Sequence, residues 1–195
     1  MIISSSNLTS VVKLLIDKFY FSKIETNFDT QYILEKFQFD YNRYFKENHI
    51  DYNNFFSRIE LIGILLYRIA RWFYNNGNES VALHYSNLGR LISGFEIYYS
   101  ANIGNGIKIN HGMGLVIGAR CQIGENVLLH QNVTLGDRHG ERPILMDNVT
   151  IYAGAKVLGG VRLGNNCVIG ANSVCLSDVP ENKKMVGIPG KIIEK

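Results

Sequence analysis

From Gly94 onward an aliphatic residue returns every six positions, and that period constrains the fold more than any other feature of the chain. Ile97, Ile103 and Ile109 form one phased run, Ile117, Ile123, Leu129 and Leu135 a second, and Ile151, Val157, Leu163, Ile169 and Cys175 a third. Two positions before many of these stands a small or β-branched residue: Cys121, Val127 and Val133, then Val149, Ala155, Val161, Cys167 and Ser173. Neither a strand's alternation nor a helix's spacing produces a six-residue period. Short flat strands on the faces of a triangular prism do, with three hexads to a turn and each turn stacked on the last. The period predicts a left-handed parallel β-helix of roughly five coils over residues 93–195, closed by a short C-terminal tail.

Residues 1–92 read differently. Glycine is scarce, and Ile59, Ile62, Leu66, Ile69 and Phe73 recur at helical spacing with Arg58, Arg68 and Arg71 between them. Val11, Leu14, Leu15, Lys18 and Phe19 predict an earlier helix and Asp29 to Phe39 another. Asn76-Gly77 is a stop signal before a helix from about Glu79 to Ile92. The fold class expected is α+β, an α-helical N-terminal domain followed by the β-helix.

Composition narrows the function classes. Of 195 residues, 46% are apolar, enough for a globular core. The net charge of +3 comes from 20 basic and 17 acidic residues without the clustered Lys/Arg face of a nucleic-acid binder. Cys121, Cys167 and Cys175 show no CxxC pairing, which argues against a disulfide framework and a zinc cluster and for a reducing cytoplasm. The N-terminus lacks an early basic region, and Lys13 and Asp17 interrupt its apolar stretch, so it does not read as a signal peptide. The apolar run from Ile59 to Tyr74 is broken by Glu60, Arg68 and Arg71 and is too short to span a bilayer.

The hexad phase slips twice, by two residues between Ile109 and Ile117 and by four between Leu135 and Ile151. Extra residues must bulge out there, and loops on a rigid coil are where function is sought. Each slip contains a histidine: His111 in NHGMG, and His139 beside Arg138 in GDRHGERP. A lone loop histidine is ordinarily a solvated polar residue. Two at the breaks of a regular coil point to proton transfer near neutral pH. His49, His84 and His130 lie outside these loops and read as structural or solvated, and the cysteines read as inward packing.

Through YRIARW, GFEIYYSANIGNGIKINHGMGLVIG, LHQNVTLGDRH, AGAKVLGGVRLGNNCVIGANSV and VGIPGKI, the chain from about Arg68 to Lys191 resembles the serine acetyltransferases of the hexapeptide-repeat acyltransferase superfamily. The resemblance implies that His111 is a general base on an acceptor hydroxyl, oriented by Glu96, where the family has the shorter aspartate. His139 and Arg138 would complete the acceptor pocket, and transfer from acetyl-CoA would be direct, with no covalent acetyl-enzyme. It also implies that Ala153, Gly154, Gly170 and Ala171 line the cofactor groove, with Lys191 near a CoA phosphate. Small residues making tight corners are the alternative for that groove. Homotrimers with shared active sites, which the helices can pair into hexamers, are expected, and no metal or nucleic acid is implied.

The acceptor side departs from the family. Asn110 stands where an aspartate is usual and Ala119 where a glutamate is usual, and the family's Asp-Pro pair has no counterpart between Tyr44 and Phe56. A buried substrate ammonium that loses one charged partner loses on the order of 2 to 5 kcal/mol. The helical part is shorter than in the long bacterial enzymes, and the end, Ile192-Ile193-Glu194-Lys195, lacks their docking tail. These features favour a sugar hydroxyl of a capsule or lipopolysaccharide as acceptor. L-Serine is the alternative, and an inactive scaffold a third reading.

Overall fold

The computed structural model describes residues 1–20 and 23–193, so the last two residues of the C-terminal end lie outside the described residues. The chain divides into two compact units, Met1–Tyr99 and Ser100–Lys195.

The first unit is helical: α1 (Leu8–Phe19), α2 (Thr30–Phe45), α3 (Tyr52–Phe56), α4 (Ile59–Asn75) and α5 (Glu79–Ser93). The helices begin and end where short-range chemistry directs. Asp29 caps α2 by accepting from Tyr32 N at 2.9 Å, and Asn78 caps α5 by accepting from Val81 N at 3.3 Å. Gly94 ends α5 in the left-handed region at φ 71°. Helix α2 runs six residues beyond the expected Phe39 and stops at Lys46, also left-handed. The short α3, capped by Asp51, has no counterpart in the apolar periodicity. Helix α4 is buried on most sides and packs its Phe73 ring on Tyr85 of α5, 5.6 Å apart and nearly parallel. Arg68 of α4 is 6% exposed and forms a bidentate pair with the fully buried Asp40 of α2, at 2.8 and 2.9 Å.

The second unit is a parallel β-solenoid built on three strand ladders. The first stacks Asn102–Ile103, Gln122–Ile123, Ile144–Leu145 and Arg162–Leu163. The second stacks Lys108–Asn110, Leu128–His130, Thr150–Ile151, Val168–Ile169 and Lys184–Val186, and the third includes Val116–Ile117, Thr134–Gly136, Lys156–Leu158 and Val174–Cys175. An undisturbed turn advances the register by eighteen residues, as from Thr150 to Val168, which is three hexads. Four complete turns, followed by one further strand of the second ladder, stand where the hexad count suggested roughly five. Every phased aliphatic from Ile97 to Ile169 is buried, as are Cys175 and the companion column from Cys121 to Ser173. Strand Lys191–Ile193 folds back antiparallel on Lys184–Val186.

The three cysteines are free and buried in this core. Burial pushes the thiols of Cys121 and Cys175 up to about 11 and raises that of Cys167. Thiolate is the reactive form, so a disulfide-exchange reagent at pH 8 should label the native protein only at its unfolding rate and label all three thiols at once in denaturant. A thiol that reacts within seconds in the native state would contradict this packing. No described helix is long and apolar enough to cross a membrane.

Candidate active site

The two phase slips resolve into two different local structures. Asn110 is in register with His130 of the next turn. Beyond that point Asn132 N donates to Met113 O at 3.0 Å, in the pattern by which Gly154 N reaches Gln131 O and Asn172 N reaches Ala153 O. Met113, Gln131 and Ala153 are therefore equivalent, so the inserted pair is His111-Gly112. The catalytic candidate is itself the bulge, pushed out at the corner between the second and third ladders and exposed, with φ 63°. Histidine is among the few side chains enriched in that left-handed region.

The four-residue slip falls between Gly136 and Ile144. Arg138 and Glu141 pair antiparallel across His139 and Gly140, whose φ values of 58° and 83° make a tight two-residue hairpin turn. Asp137 pairs with Arg142 at its base, and Arg142 Nε donates to Ala119 O at 3.0 Å, fastening the hairpin to the turn below. On the other side the hairpin lies flat on Gly159-Gly160. A Cβ at Gly159 would come within 3.1 Å of Arg138 Cβ, and one at Gly160 would collide with the Glu141 carboxylate. A cleft of about 210 Å³ results, in which Arg138 and His139 face two carboxylates, Glu141 and Asp178.

One chain does not bring the two histidines together. His111 sits where the second ladder turns into the third, and His139 where the third turns into the first, so the third face of the prism separates them. Glu96 belongs to the helical unit, half-buried, with its carboxylate 3.2 Å from Arg90 Nη1. Ala153 and Ala171 do share one corner with His111, as the column Met113, Gln131, Ala153, Ala171. Gly154, at φ 76°, lies beneath the Asn172 side chain and leaves no room for a Cβ. Gly170 occupies the neighbouring column of Asn110, His130 and Tyr152, and Lys191 is exposed on the returning strand.

Three residues near His111 escaped the sequence reading. His130 is half-buried, stacked on Tyr152 at 5.1 Å, and held below the ordinary imidazole range first by burial and then by the His111 charge. Gln131 carries a buried amide oxygen without a hydrogen-bond partner. Lys156 Nζ donates to Asn132 O at 2.6 Å and Thr134 Oγ1 at 3.0 Å. Carrying the hexad phase across the slip would have placed all three beside the His111 corner.

Residues 142–177 match the family model for the bacterial transferase hexapeptide (six repeats). A serine acetyltransferase of Synechococcus elongatus is 45% identical over 134 residues, 67% of this chain and 55% of that protein. A solved serine acetyltransferase in complex with CoA superposes with a TM-score of 0.77 at 28% identity, over 94% of this chain and 74% of the other. The Neisseria gonorrhoeae serine acetyltransferase in complex with serine gives 0.76 at 29%, over 84% and 70%. The chain spans between half and two thirds of the length of the curated relatives it matches. The chain carries the bacterial transferase hexapeptide repeat, and its repeat, fold and similarities fit a serine acetyltransferase-like member of the hexapeptide-repeat superfamily.

Proposed function

We propose that the protein is an O-acetyltransferase that moves an acetyl group from acetyl-CoA directly onto the hydroxyl of L-serine. The observation that carries the transfer reaction is the His111 bulge, an exposed imidazole at the head of the corner column of Met113, Gln131, Ala153 and Ala171. Acetyl-CoA supplies the activated acyl group. The corner suits its pantetheine arm: Ala153 and Ala171 leave the backbone accessible, and the unpartnered Gln131 oxygen is an acceptor for an amide N–H. Gly154 and Gly170 keep the groove narrow, and Lys191 is the cation for a phosphate. His111 would take the proton of the acceptor hydroxyl as its oxygen attacks the thioester carbonyl, and return it to the departing sulfur.

For the acceptor, the relatives' names and the His139 cleft support serine over the sugar that the neutral residues Asn110 and Ala119 suggested. The cleft restores the acidic partners missing at those two positions: Glu141 and Asp178 can meet an ammonium, and Arg138 a carboxylate. O-Acetylserine would place the reaction in cysteine synthesis, in a cytoplasm that keeps three free thiols reduced. The sugar acceptor is retained as the second reading on the strength of Asn110 and Ala119. Since His111 and His139 occupy different corners, a site that uses both needs a second copy, which favours a homotrimer. Pairing of trimers through the helical units is a further expectation from the family.

Release of free CoA from acetyl-CoA, measured with L-serine and with a panel of nucleotide sugars and oligosaccharides, tests this. Serine-dependent release is expected. Release with a sugar alone would replace the acceptor, and silence with all of them would sink the enzyme reading.

A further inference from the structure

The His111 bulge lies between the strands Lys108–Asn110 and Val116–Ile117, outside the ladders. His111, Gly112 and Gly114 hold φ values of 63°, 32° and 70°. No strand pairing runs through them, and their bonds to one another, Met113 N to His111 O and Leu115 N to Gly112 O, are local. A segment tied to itself by local bonds needs support from outside to hold a general base in one orientation.

Its anchor on the next turn is Asn132. The Asn132 N–H donates to Met113 O at 3.0 Å, and the Asn132 side chain lies over Gly114, filling the space a Cβ would need. Asn132 is itself gripped from one turn further on. Lys156, in register with Thr134 on the third ladder, reaches back so that its Nζ donates to Asn132 O and Thr134 Oγ1. Both acceptors are neutral, and among the described residues no carboxylate lies within ion-pairing distance of this half-buried ammonium. An exposed lysine serving solubility would point into water. This one spends its donors on a backbone carbonyl two bonds of the chain away from the amide that ties down the bulge, and a bond from an ammonium is roughly twice as strong as a neutral one.

We propose that Lys156 is a positioning residue for His111: by fixing Asn132 from the turn beyond, it holds the bulge in the conformation that presents the imidazole. The inference rests on the role of His111 as general base given above. It makes the rigid ladder, rather than the loop, responsible for the base's orientation, and it explains why a lysine occupies an outward position of the third ladder next to the small residues of the groove.

The test combines amide hydrogen exchange with steady-state kinetics on Lys156→Met, which keeps the aliphatic stem and removes the ammonium. Exchange is expected to speed up by about tenfold at Met113, Leu115 and Asn132, with the amides of the last two turns unchanged. With a serine-active wild type, kcat should fall by about 10- to 100-fold at an unaltered KM for acetyl-CoA, since a small misplacement of a base costs about that much. In a His111→Ala background the same substitution should have no further effect, because a residue that acts through His111 has nothing left to act on.

Unchanged exchange at the bulge would overturn the proposal, as would a rise spread over the whole solenoid, which marks a general structural role. So would kcat within threefold of wild type, or a full effect persisting without His111. A wild type inert towards every acceptor would sink the proposed function and this inference with it, whereas an active wild type indifferent to Lys156→Met sinks the inference alone.

Discussion

Replacing His111 with asparagine is expected to lower kcat by about two to four orders of magnitude while leaving the fold intact, the span that a positioned base supplies. Asparagine suits the left-handed region that His111 occupies, so the backbone has no reason to move. Alanine at the same position should lose as much activity and a little more stability, and agreement between the two isolates the imidazole as the cause. Circular dichroism and the KM for acetyl-CoA are the controls. A His111→Asn protein with kcat within threefold of wild type would remove His111 from the chemistry. The separation of His111 from His139 adds a sharper form of the experiment. Chains carrying His111→Asn and chains carrying His139→Ala, each inactive alone, should regain about a quarter of wild-type activity when coexpressed in equal amounts, since random closed rings place a good copy of each beside the other that often. Mixtures as dead as their parents would mean that the two histidines do not share a site.

Arg68→Leu should destabilise the helical unit by about 3 to 5 kcal/mol, because it takes the opposing guanidinium away from the Asp40 carboxylate in a site with no exposure to water. The two groups meet bidentately from helices α2 and α4, so neither can turn out to solvent without unpacking its helix. Removing both charges in Asp40→Leu/Arg68→Leu should cost clearly less than the single change, since apolar pairs replace buried ion pairs at little or no loss when the volume is filled. Urea unfolding followed by the fluorescence of Trp72, the single tryptophan, reads this directly from α4. A single variant within about 1 kcal/mol of wild type would show that water reaches Asp40 after all.

Much of the solenoid was legible in the chain because a period-six pattern has few folded solutions. Inward positions can be counted, and Ile103, Leu129, Val157 and Ile169 are buried as the count requires. The slips were legible for the same reason, and they led to His111 and His139. What the chain could not disclose was which residues of each slip leave the ladder, because a two-residue insertion can be absorbed anywhere along the corner. Hydrogen bonding on both sides decides that it is His111-Gly112.

The same division runs through the helical half. Helical spacing located α4 and α5 to within a residue or two, since a long amphipathic stripe is a strong local signal. The burial of Arg68 was not legible in the chain, because a buried charge and a surface charge look alike until the partner is known, and Asp40 lies twenty-eight residues away on another helix.

Sequence by itself determined the repeat, the inward columns, the two interruptions and the residue types able to move a proton, since each follows from local spacing and side-chain chemistry. Tertiary structure alone decided that the two histidines stand on different corners and that Asp178 lines the cleft beside Arg138 and Glu141. It also decided that Lys156 grips the Asn132 anchor. Those relations join residues one or more turns apart, and only stacking the turns brings such groups within reach of one another.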